Sequence, residues 1–66
     1  MLDGKAVYRR IHQRCAELGM SLSEASTKSG HSESWLAQVK DSGAVNTKTI
    51  HEIAKALDVP VAFFYQ

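Results

Sequence analysis

The segment GMSLSEASTKSGHSESWLAQVKDS, residues 19–42, constrains this chain more than any other stretch. It reads as two short helices hinged at a glycine. Ser21 is placed to cap the first helix, predicted over 22–29. Glu24, three residues on, completes a capping box in which each partner's side chain meets the other's backbone N–H. Gly30 and His31 interrupt the pattern, and glycine tolerates the positive φ of a tight turn. Ser32 then caps a second helix, predicted over about 33–40, with apolar positions Trp35, Leu36 and Val39. Two short helices joined by a tight glycine-containing turn form the unit that lays its second helix in the DNA major groove.

The flanking pattern predicts more helix and no strand. A first helix over about 5–18 carries Val7, Ile11 and Leu18, with Cys15 and Ala16 beside them, and stops at Gly19. Asp41, Ser42 and Gly43 open a loop that runs to Val45. Asn46 is the N-cap expected for a fourth helix, in which Ile50, Ile53, Ala54 and Leu57 recur at helical spacing. Asp58 and Val59 break that pattern. Pro60 suits the first turn of a fifth, short helix carrying Phe63, Phe64 and Tyr65. The expectation is an all-α, compact five-helix domain spanning residues 1–66.

Several function classes fit poorly. At 44% hydrophobic and 23% charged residues, the chain suits a soluble globular fold rather than disorder. No apolar run approaches the roughly 20 residues needed to cross a membrane, and the first ten residues lack the apolar core of a secretory signal. The single cysteine, Cys15, has no partner for an internal disulfide, and these features together predict the cytoplasm. His12, His31 and His51 are spread over three segments without zinc-ligand spacing, so no metal is expected. No nucleophile–base pair, glycine-rich phosphate loop or suitably spaced carboxylate pair suggests an enzyme, a cofactor or a small-molecule ligand. The net charge of +1 is low for a nucleic-acid binder. Arg9, Arg10 and Arg14 read either as a solvated helix face or as phosphate contacts.

The sequence resembles the helix-turn-helix family of lambdoid phage repressors and Cro proteins over nearly its whole length. IHQRCAELGMS is similar to the end of that family's first helix, SLSEASTKSGHSESWLAQV to its helix-turn-helix without a gap, and IHEIAKALDVPVAFF to its fourth helix and the start of its fifth. The resemblance implies a lambda-repressor-like fold and a bacterial or phage-encoded, cytoplasmic transcriptional regulator. It implies a repressor that occupies a palindromic double-stranded DNA operator as a homodimer, with residues 32–40 as the recognition helix. Glu33, Ser34, Ala37 and Gln38 are then the residues at base edges. Gln38 suits adenine, Glu33 the cytosine amino group, Ser34 either strand, and Ala37 a thymine methyl. Phosphate contacts fall to Ser21, Leu22 and Ser23 at the start of helix two and to Ser32 at the start of helix three. Lys40, Ser42, Asn46, Thr47 and Lys48 carry them on from the end of helix three.

The chain departs from the family pattern in places. Leu22 stands where a phosphate-touching Gln is common. Cys15 and Lys40 replace an Arg–Glu ion pair together, so neither leaves a buried charge unpaired. Cys15 is then a small hydrophobe and Lys40 is free for phosphate. Trp35 reads as core, dimer contact or backbone stacking group, and Glu33 alternatively as a favourable first-turn charge. One of Phe63 and Phe64 should close the core. The apolar cluster Phe63, Phe64 and Tyr65 is otherwise the expected dimer interface. Leu22, Glu33 and the low charge also allow an alternative, a protein-interaction module that keeps the helix-turn-helix core without binding DNA.

Overall fold

Asp3 starts the first helix: its carboxylate accepts the Ala6 N–H at 3.2 Å, an N-cap that satisfies one of the backbone donors left unpaired at every helix start. A computed structural model describes residues 2–65. The order is β1 (Leu2–Asp3), α1 (Gly4–Leu18), α2 (Leu22–Lys28), α3 (Trp35–Val39), β2 (Ala44–Val45) and α4 (Thr47–Leu57), followed by a 3₁₀ helix (Val61–Tyr65). No helix among the described residues is long and apolar enough to cross a membrane.

The five-helix expectation is corrected: among the described residues four α-helices form, and the last segment is a 3₁₀ turn. There the Phe63 N–H donates to Pro60 O, three residues back, at 3.0 Å. Bonds to the third residue back are the 3₁₀ pattern, common in short closing turns, and packing decides the winding: Phe64 is buried while Tyr65 is half exposed. The absence of strands is corrected as well. β1 and β2 pair antiparallel, Leu2 opposite Val45 and Asp3 opposite Ala44. Strands of two residues leave no alternation to read.

The core lies where the helices converge. α1 contributes Val7, Ile11 and Cys15, α2 Ala25, α3 Leu36 and Val39, and α4 Ile50, Ile53, Ala54 and Leu57, with Val45 and Phe64 closing the two ends. Leu18, expected inside, is 39% exposed. α1 ends at Gly19, and the partly buried Met20 packs against the core instead.

Arg14 occupies neither of its expected places. Its Nε donates to Leu57 O at 3.0 Å and its Nη2 to Asp58 O at 3.4 Å, while Nη1 pairs with Glu17 at 3.2 Å. A guanidinium therefore closes the C-terminus of α4 with charge of the favourable sign. Arg14→Met keeps the alkyl stem and removes the cap. Its expected cost is about 1–2 kcal/mol for a half-buried charge-assisted hydrogen bond, read as a lower urea midpoint. An unchanged midpoint would take Arg14 out of the α4 cap.

Candidate nucleic-acid interface

The connection between α2 and α3 is built from the backbone. α2 opens with the expected capping box: Ser21 Oγ accepts the Glu24 N–H at 3.1 Å and the Ser21 N–H meets Glu24 Oε1 at 3.4 Å. It closes with the Gly30 N–H donating to Thr27 O and the His31 N–H to Ser26 O, the paired bonds of a Schellman ending. Gly30 sits at φ +84°, which a side chain would oppose.

α3 is shorter than predicted. Residues 32–34 form a turn in which the Trp35 N–H donates to Ser32 O at 3.1 Å. The expected cap at Ser32 is corrected to Ser34, whose side chain makes no cap bond. The missing acceptor comes from another helix. Ser26, fully buried in α2, accepts the Leu36 N–H at 3.0 Å and donates to Leu22 O at 2.8 Å. The first two N–H groups of α3, those of Trp35 and Leu36, are thus committed internally.

The outer face of α3 carries the base-reading candidates. Glu33, Ser34 and Gln38 are exposed and Ala37 is half-buried. Gln38 Nε2 donates to Ser34 Oγ at 3.2 Å, and Ser42 Oγ donates to Gln38 O at 3.2 Å. Gln38, Ser42 and Asn46 line one open groove with Trp35 and Thr49. Asn46 Oδ1 accepts the Thr49 N–H at 2.8 Å, the expected cap of α4, and Thr47 and Lys48 stand exposed on its first turn. The remaining candidates lie elsewhere. Ser21 and Ser23 are exposed at the start of α2, Leu22 is half-buried against the core, and Lys40 leans over Tyr8 of α1, its Nζ 5.5 Å from the ring centroid.

A second constellation braces the turn. His31 stacks on Trp35 with ring centroids 3.7 Å apart and an interplanar angle of 11°, and its Nε2 lies 2.8 Å from Glu52 Oε2 on α4. Trp35 therefore both lines the groove and is tied to α4 through His31. The sequence offered no signal for this pairing, because Glu52 lies 21 residues away. Ser26 and Arg14 were missed for the same reason.

Elsewhere, Cys15 is buried and burial pushes its thiol up from the usual range, which disfavours the nucleophilic thiolate. No group of three or more His, Cys, Asp or Glu among the described residues is placed to hold a metal ion. Of the expected dimer residues, Phe64 is 4% exposed and occupied by the protein's own core. Phe63 is half-buried beneath Arg10, and Tyr65, at 51% exposure, stays available to a partner. The chain matches no protein-family model, no curated protein and no solved structure.

Proposed function

We propose that this protein is a sequence-specific DNA-binding regulator of the lambdoid repressor and Cro type. The outer face of α3 and the turn before it enter the major groove of a palindromic operator. The observation that carries this reading is the position of Gln38. Its amide is exposed beside Ser34, on the side of α3 opposite Leu36, and borders a polar groove that ends at the first turn of α4. A carboxamide so placed suits adenine N6 and N7, and Lys48 beyond it suits a phosphate. The longest extent of the domain is 25 Å, shorter than the roughly 34 Å between half-sites one turn apart. Two copies are needed to read both, with Tyr65 and Phe63 as the surface left for their contact. Binding occludes polymerase, the simplest action for a domain with so little surface to spare, and DNA as partner places it in the cytoplasm.

Selection from random duplex DNA at two salt concentrations tests this. An enriched palindrome with half-sites about one turn apart is the expected result. On that site Gln38→Ala should cost about 1–3 kcal/mol and relax one base position, whereas Lys48→Ala should weaken all sequences alike and flatten the salt dependence. Identical behaviour of the two variants on selected and random DNA would displace α3 from the groove.

The exposed Glu33 and the apolar Leu22 favour a second reading, a protein-interaction module on the same scaffold. Absent or salt-insensitive binding in the same selection would favour it.

A further inference from the structure

The loop between α3 and α4 supplies Ser42, Ala44, Val45 and Asn46 to the groove, yet among these only Val45 is buried. Its ends are tied to the helices, Ser42 to Val39 O and Gln38 O of α3 and Asn46 to the Thr49 N–H of α4. Its middle, residues 43–45, is held by the chain's other end. β1 pairs with β2 through Leu2 and Asp3, and the Gly4 N–H donates to Gly43 O at 3.1 Å. Gly4 is buried, and a Cβ there would overlap Val39 O and lie 3.4 Å from the Gly43 nitrogen. The missing side chain lets the start of α1 sit directly on the end of α3. Val39 O in turn accepts the Ser42 N–H at 3.1 Å, and Gly43 takes φ +77°.

We propose that β1 and Gly4 are positioning elements for the DNA-facing loop: they set the path of Gly43, Ala44 and Val45 between Ser42, which is tied to the end of α3, and Asn46 at the start of α4. The proposal rests on the DNA-binding reading given above. The segment touches no DNA itself. It holds the middle of the loop as one wall of the groove, so that the loop's polar groups reach the backbone without being ordered at the moment of binding.

Leu2→Ser withdraws the side chain that packs β1 on the core and leaves the Asp3 cap untouched. Leu2→Val keeps a residue suited to a strand. Amide hydrogen exchange in the full chain reads the loop separately from the core. For Leu2→Ser, the Ala44 and Val45 amides should exchange at least about tenfold faster while those of Ile53 and Leu57 stay protected. Affinity for the selected duplex should fall several-fold, and Leu2→Val should restore both. Gly4→Ala should act in the same direction and more strongly. If it also deprotects α4, the fold is lost and Leu2→Ser decides. Unchanged loop exchange in Leu2→Ser, or faster exchange with unchanged affinity, would overturn the proposal. A wild-type chain with a protected loop that binds no duplex would instead overturn the DNA reading, and with it any role for the loop in binding DNA.

Discussion

Leu36→Ala is expected to cost about 2–5 kcal/mol, the range for removing a fully buried leucine from a core that relaxes only in part. A domain of this size has only a few kcal/mol in total, so most of its folded population should disappear at ambient temperature. Leu36 is 0% exposed at the centre of α3. That helix is five residues long, too short to persist alone, so tertiary contact is what holds it. Alanine is also the better helix former, so the loss cannot be assigned to weakened local helicity. Urea unfolding followed by circular dichroism should show a much lower midpoint with an unchanged slope. A loss under about 1 kcal/mol, against that range, would mean that α3 is held chiefly by Val39 and the half-buried Trp35. The candidate interface depends on this anchor, because Gln38 and Ser34 project from the turns on either side of it.

Local signals in the sequence were dependable where one residue serves its own segment. The Ser21–Glu24 capping box, the Asn46 cap, the stop at Gly19 and the glycine hinge at Gly30 all stand where their chemistry demands. The spacing of Leu36 and Val39 left Ser34 and Gln38 on the outer face, as found. Readings failed where a residue serves a distant segment. Arg14 caps a helix 43 residues away, Ser26 caps one ten residues away, and β1 meets β2 from the opposite end of the chain. Periodicity reports which face of a helix is buried, not whose backbone its polar atoms complete.

The start of α3 illustrates the limit. Serines at 26, 32 and 34 are all chemically able to cap it, and the local rule selects Ser32. The fold selects Ser26, because the Schellman ending of α2 turns the chain so that the Leu36 N–H points back into the α2–α3 contact. Gln38 and Ser42 meet at the local i,i+4 spacing, but the addition of Asn46 to their groove was beyond local rules. It follows from the loop path, which the strand pair and Gly4 set.

Ser26→Ala should therefore be the most costly polar substitution in the chain. The Leu36 N–H would be left buried with no acceptor, at a penalty of about 1–3 kcal/mol. The bond to Leu22 O is dispensable by comparison, since that carbonyl lies within the helical ladder of α2. Ser29 supplies the matched control. It makes the same back-bond, to Ala25 O at 2.8 Å, but caps no other helix, so Ser29→Ala should fall within about 0.5 kcal/mol of wild type. The difference between the two urea midpoints measures the cap from α2 to α3 rather than the general cost of losing a serine. Equal losses would show that α3 satisfies its own N-terminus, and the coupling of α2 to the face bearing Gln38 would then rest on apolar packing alone. With the cap confirmed, Ser26→Ala should also weaken operator binding in excess of its effect on stability at low temperature. On the proposed DNA-binding reading, the residue that fixes the angle of α3 to α2 also fixes how α3 is presented to DNA.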